Sequence, residues 1–218
     1  MTDVQANNRR IARNTLMLYL RMLLTVVVGI YTSRVVLNTL GVEDYGIYNV
    51  VGGVVSMMGF LNASLAGATS RFITFELGRG DSRRLADTFS SALIAHIGIA
   101  LVVVLVAETA GLWFVTHKLV IPATRMGAAL WVYHLSIVSA AIGITQVPYT
   151  ACVIAYERMG VYAYMEILNS VLKLLIVYIL LVGHFDKLKL YAVLTFAVSA
   201  LIAAIYRLYC TRKFAESH

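Results

Sequence analysis

The chain has 218 residues, of which 60% are hydrophobic and 13% charged, and its mean hydropathy is +0.81. Soluble domains carry about 25% charged and roughly 45–50% apolar residues, so a cytosolic enzyme is excluded, as are collagen-like and disordered chains. The net charge of +7 would point a soluble protein toward nucleic acid, but in a membrane chain Lys and Arg collect in short cytoplasmic loops, and no nucleic-acid partner is expected.

A hydrocarbon core of about 30 Å needs roughly 20 residues of helix, and six stretches meet that length. The first, 14–39, follows a polar, basic start and is longer than a signal-peptide core, so it is read as retained. It carries Arg21 and Arg34, about 20 Å apart along a helix axis and roughly 140° apart around it. Arg21 aligns with Thr25 and Thr32, Arg34 with Tyr31 and Asn38. Both arginines reach an interface by snorkelling, and a guanidinium fork also suits phosphate.

The turn Gly41-Val42-Glu43-Asp44 leads to the second stretch, 45–70, with Asn49, Asn62, Ser64, Thr69 and Ser70. Its small pairs Gly52/Ser56, Ala63/Gly67 and Ala66/Ser70 have the spacing that lets helix backbones approach closely, and Asn62 is taken as a cavity contact. After Gly78-Arg79-Gly80-Asp81-Ser82, in which Asp81 or Ser82 is the expected N-cap, comes the third stretch, 88–114. The loop through Ile121-Pro122 joins it to the fourth, 127–151. His96 and His134 stand singly in these two, without HxxxH or HExxH spacing, and are read as packing residues with no metal site. Pro148 is expected to kink the fourth helix or stop it early. Trp113 and Trp131 mark one aromatic belt.

The fifth stretch, 161–182, holds Glu166, Asn169, Ser170 and Lys173 at i, i+3, i+4 and i+7, with Tyr162 one turn earlier, which puts them on one face. Lys173 lies about 18 Å along the helix, near mid-bilayer. An ionisable group at that depth needs a partner or a wet cavity. The stripe is therefore either a cavity lining that meets an anionic or sugar-bearing substrate, with Glu166 relaying protons, or a buried Glu166–Lys173 ion pair that fixes packing. The turn Gly183-His184-Phe185-Asp186 precedes the sixth stretch, 189–209, whose Tyr206 and Tyr209 are read as the second aromatic belt.

With the N-terminus inside, eleven Lys and Arg lie on the cytoplasmic side (Arg9, Arg10, Arg13, Arg71, Arg79, Arg83, Arg84, Arg158, Arg207, Arg212, Lys213) and four outside (Lys118, Arg125, Lys187, Lys189). The positive-inside rule then gives N-in and C-in. Cys152 and Cys210 are isolated and form no CxxC. No Asp-x-Asp, glycine-rich phosphate loop or serine elbow is present, so the chain is read as non-enzymatic and without cofactor. The expected fold is an all-α integral membrane protein, one six-helix bundle over residues 1–218.

The segment Tyr31-Thr-Ser-Arg34-Val-Val-Leu-Asn38-Thr-Leu-Gly41-Val-Glu43-Asp44-Tyr45-Gly46-Ile-Tyr48-Asn49-Val-Val-Gly52-Gly53 resembles the lipopolysaccharide-biosynthesis (O-antigen) flippases of the polysaccharide-transporter family, within the multidrug/oligosaccharidyl-lipid/polysaccharide exporter superfamily. The likeness continues through Ala68-Thr-Ser-Arg71-Phe-Ile-Thr-Phe-Glu76-Leu-Gly78, Ala107-Glu108-Thr-Ala-Gly-Leu-Trp113-Phe and Val147-Pro148-Tyr149 to Glu157-Arg158-Met159. The resemblance implies a multi-pass transporter of the bacterial cytoplasmic (inner) membrane that flips an undecaprenyl-pyrophosphate-linked oligosaccharide between leaflets, through a cationic cavity between two six-helix lobes. It makes Arg21, Arg34 and Lys173 candidate phosphate contacts and Arg71 a first contact at the cytoplasmic end; if that reading holds, Asn62, Asn169 and Tyr162 are the candidate sugar contacts, and the depth of Glu166 makes it the candidate coupling group. Six spans equal one lobe, so the chain is expected to be the N-terminal half of such a transporter or to act as a homodimer, and the first is favoured. The competing expectations are a drug or metabolite exporter of the same superfamily, and a non-transporting half-bundle that needs a partner subunit.

Overall fold

In the computed structural model, residues 2–57, 60–182 and 186–214 are described. The element order is α1 (Thr2–Ser56), α2 (Phe60–Arg79), α3 (Ser82–Val106), a π-helical turn (Ala107–Gly111), α4 (Leu112–His117), α5 (Met126–Ala155), α6 (Met159–Val182) and α7 (Lys187–Lys213), with no strand among the described residues. Five helical stretches are long and apolar enough to cross a membrane: Thr15–Ser56, Ser82–His117, Met126–Ala155, Met159–Val182 and Lys187–Lys213. The chain is a multi-pass membrane bundle.

The first of these is two helices in one. Gly41 has φ 82° and ψ 169°, a conformation essentially confined to glycine, and it divides α1 into arms 2–40 and 42–56. The turn expected at 41–44 is thus made by a single residue, and the helix resumes at once. Within the expected span 45–70, one helix ends at Ser56 and the next begins at Phe60. Hydropathy averages over such a division, because both sides of it are apolar.

The third helix begins at Ser82, capped by Asp81, whose carboxylate accepts from the backbone N–H of Arg83 and Arg84 at 3.1 Å each. Two of the four orphan donors of the helix start are satisfied this way. The expected stop at Pro148 does not occur, since α5 runs on to Ala155 with Pro148 buried inside it.

α5 is the hub. It contacts α1, α2, α3, α6 and α7 and buries twelve residues along its length, as a helix apolar all round should. One core cluster joins Ile73, Phe89, Tyr149, Cys152, Leu180, Ile202 and Tyr206, and a second joins Ile47, Val51, Val115, Val132, Tyr133 and Leu188. Tyr206, expected in an interfacial belt, is buried to 1% exposure. The i, i+4 series Val198, Ile202, Tyr206, Cys210, all buried, puts it on the inner face of α7. Trp113 and Trp131 are exposed, as residues of a lipid-facing belt would be. The small-residue spacing of Gly52 and Gly67 does not bring backbones together, for a Cβ built on either meets nothing within 4 Å.

Candidate functional site: a polar cavity between α1 and α6

The stripe on α6 faces α1. Glu166, Asn169, Ser170 and Lys173 line a cavity of about 310 Å³ together with Thr25, Gly29 and Thr32 of α1, Tyr48 of its second arm, and Tyr191 and Thr195 of α7. The α1 face is the one that carries Arg21, in keeping with the helical alignment of Arg21, Thr25 and Thr32. The guanidinium of Arg21 lies over the ring of Tyr162, 4.8 Å from its centroid, a cation–π contact one turn before Glu166. Arg21 Nε and Thr32 Oγ1 are enclosed without a hydrogen-bond partner among the described residues. Both are polar groups that an interior would have to satisfy.

Among the described residues no ion pair joins Glu166 to Lys173, and seven positions separate them, about 10 Å along the axis. The two charges therefore line one cavity at different depths. Ser170 uses its hydroxyl on the Glu166 carbonyl, 2.9 Å away.

Sequence reasoning missed Tyr206 as a member of this neighbourhood. Its hydroxyl is enclosed without a hydrogen-bond partner among the described residues, and Glu166, Tyr162 and Arg21 are within electrostatic reach of it. The periodic apolar stripe of α7 was the signal that could have found it.

The other candidates lie elsewhere. Arg34 is exposed and is not on the cavity wall, as its angular offset from Arg21 requires, and Arg71 is exposed on α2. The side chain of Asn62 lies outside the described residues, as do Gly183, His184 and Phe185 of the expected turn. His96 is buried, with Nδ1 2.7 Å from the Ala92 carbonyl. His134 meets Glu108 at 2.9 Å.

At one end of the bundle three turns are tied by a single arginine. Arg125 donates Nε–H to Asp44 Oδ1 at 2.7 Å and Nη2–H to Asp44 Oδ2, and its Nη1 and Nη2 each reach Asp186 at 3.2 Å. Asp186 also caps α7, accepting from the N–H of Leu188 at 3.2 Å and Lys189 at 3.4 Å. The hydrogen bond to Asp44 is the main reason the Arg125 guanidinium is held above its ordinary value, with Asp186 adding to it. Burial alone would raise the Asp186 carboxyl, but hydrogen bonds from Arg125 and from the α7 backbone outweigh it and hold it below the ordinary range. Farther along α5 and α7, Arg207 donates to Thr145 Oγ1 at 2.8 Å, and at their C-terminal ends Tyr156 stacks on Phe214 with ring centroids 4.4 Å apart.

Comparison with protein-family models, curated proteins and solved structures finds no match to this chain.

Proposed function

We propose that the chain is the N-terminal bundle of a transporter that moves a polyprenyl-pyrophosphate-linked oligosaccharide across a bacterial cytoplasmic membrane, the role implied by the resemblance of residues 31–53. The observation that carries the reading is the α1–α6 cavity, where Glu166, Asn169 and Lys173 share walls with Thr25, Thr32 and Thr195. A pyrophosphate and its hydrated sugars cannot enter hydrocarbon without losing strong hydrogen bonds to water. In this reading Lys173 and Arg21 replace water on the phosphates, Asn169 and Tyr162 meet sugar hydroxyls, and the polyprenyl tail stays in lipid. Arg34 and Arg71, which do not line this cavity, and Asn62 are further proposed contacts for the cargo. The alternation of six crossings is supported by the Arg125 cluster, which gathers the first, third and fifth connections at one end.

A drug or metabolite exporter with an acidic cavity is the second reading, and Glu166 is the residue that favours it. Lys173 on the cavity wall and Arg21 over the ring of Tyr162 favour an anionic cargo. A homodimer or a second bundle would complete the closed path that one bundle lacks.

The test is flipping in proteoliposomes, with a radiolabelled polyprenyl-pyrophosphate oligosaccharide and a glycosidase added to one side. A hydrogen bond to a charged group contributes about 1.5–3 kcal/mol, so Lys173→Gln should slow flipping by roughly tenfold or more, and Lys173→Glu should abolish it. Equal rates for wild type and both variants would discard the cavity as the cargo path. Glu166→Gln should flatten the dependence of the rate on external pH, and an unchanged pH profile would remove the proton role.

A further inference from the structure

The hairpin of α2 and α3 carries a groove that opens out of the bundle. The two helices run in opposite directions on either side of Gly80, whose φ of 72° makes the turn, and about 470 Å³ of space lies between them. Leu65, Ala68 and Phe72 form one wall, Ala92 and Ala95 the other. Ala68, Phe72 and Ala95 are exposed, Phe72 to 65%, so in a membrane bundle this groove opens onto lipid.

Its polarity is graded along its length. Around the turn, residues 76–87 hold three cations and three anions: Glu76, Arg79, Asp81, Arg83, Arg84 and Asp87. Arg79 is 3.9 Å from Glu76 and Arg84 is 3.4 Å from Asp81, with half or more of each arginine side chain exposed. Asp87 is exposed and has no ion-pair partner among the described residues. Glu76 and Arg79 follow Phe72 by four and seven positions, and Arg84 precedes Asp87 by three, so on each helix these charges share a face with the groove. Thr88 and Ser91 come next on α3, and beyond them the open wall is apolar. The other polar residues of the wall, Thr69 and His96, are buried, and both ring nitrogens of His96 are accounted for: Nδ1 on the Ala92 carbonyl and Nε2 enclosed. From Arg84 to Ala95 is about 16 Å along the axis, close to half of a hydrocarbon core of about 30 Å.

Charge, then hydroxyl, then hydrocarbon over the depth of one leaflet is the order of a glycerophospholipid, from headgroup through esters to acyl chain. The mixed charges select the headgroup. A phosphate meets the guanidinium N–H groups of Arg79 and Arg84, while Asp87, one turn from Arg84, calls for a cation with N–H groups to donate. A primary ammonium supplies them. A quaternary ammonium has none, and a headgroup with negative charge alone sets like charge beside Asp87.

We propose that the α2–α3 groove is a binding site for a phospholipid with a primary-amine headgroup, of the phosphatidylethanolamine type. Its phosphate lies on Arg79 and Arg84, its ammonium on Asp87, and one acyl chain along Phe72, Ala68 and Ala95. The groove shares no lining residue with the charged cavity, and the assignment does not depend on what the chain transports.

The test is native mass spectrometry of the full chain in detergent, titrated with phosphatidylethanolamine, phosphatidylcholine and phosphatidylglycerol of identical acyl chains. Phosphatidylethanolamine should bind at least fivefold more tightly than the other two, and Asp87→Asn should remove its advantage over phosphatidylcholine without weakening phosphatidylcholine itself. Ala95→Trp fills the groove from an exposed position and should weaken phosphatidylethanolamine at least fivefold. Ile94→Trp adds bulk at an exposed neighbour outside the groove and should leave binding unchanged. If Ala95→Trp does not fold, phosphatidylethanolamine with a photoactivatable diazirine in its acyl chain should label peptides of α2 and α3 in the wild type. Equal affinities for the three lipids overturn the proposal, as does a preference for phosphatidylglycerol. So does an amine preference that survives Asp87→Asn, binding indifferent to Ala95→Trp, or diazirine labelling confined to other helices. Absence of flipping in the proteoliposome assay, with the amine preference intact, would discard the transport reading alone and leave this site standing.

Discussion

Gly111 faces the hydroxyl of Tyr133 so closely that any Cβ there would overlap the oxygen. That hydroxyl donates to the Ala107 carbonyl at 2.6 Å, and the ring is fully buried. The two residues thus hold the π-helical turn 107–111 against α5, where the extra residue of a π turn frees a carbonyl from the regular ladder. Gly111→Ala gains up to about 1 kcal/mol of helix propensity, but it must displace a buried ring, and overpacking of this kind costs about 1–3 kcal/mol. Loss of the hydrogen bond adds about 1 kcal/mol. The variant should therefore unfold at a lower temperature in detergent than the wild type. Tyr133→Phe removes the oxygen that the new methyl meets, so the double variant should be more stable than Gly111→Ala alone. Strictly additive losses would show that the two side chains do not oppose each other across this contact.

The turns at one end of the bundle are elements whose stability comes from elsewhere in the chain. Asp44 and Asp186 lie 81 and 61 positions from the Arg125 that joins them. Because the Asp186 carboxyl is held below its ordinary range, the stabilisation is fully present above the unfolded value near 4 and is lost as the pH falls from there through the folded value. The melting temperature should be flat from pH 7 to about 5 and then fall. Asp186→Asn should lower it at neutral pH and make that acid fall shallower; an identical acid limb in the variant would remove Asp186 from the linkage. The helices and the α6 stripe were legible because their signal is local, apolar and polar residues recurring at the helical period. The face shared by Arg21, Thr25 and Thr32, and the exclusion of Arg34 from it, followed from the same arithmetic. What was not legible depends on angles or on distance in sequence. The division of 45–70 between two helices leaves the hydropathy of both sides unchanged. The Arg125 cluster unites residues that looked like three unrelated turn charges, and the inward place of Tyr206 was obscured by its nearness to the chain's basic end.

Across the whole molecule, those same three connections bear on how the chain crosses the membrane. Asp44, Arg125 and Asp186 belong to the turn after the first expected crossing, the loop after the third and the turn after the fifth. An odd series of connections meeting at one end is what alternate up-and-down crossings produce. The positive-inside expectation, with the excess of Lys and Arg on the other connections, has that end outside, and labelling tests it. The buried state of Cys152 and Cys210 gives a quiet background for single introduced cysteines. Lys118→Cys, at an exposed position beside the Arg125 loop, should react with a membrane-impermeant maleimide in intact cells. Arg83→Cys, exposed at the start of α3, should react only after the cells are opened. The reverse pattern would invert the orientation while keeping the crossings. Labelling of both from outside would place the two ends of the Ser82–His117 stretch on one side, and a 36-residue helical stretch that does not cross would end the multi-pass reading of the third helix.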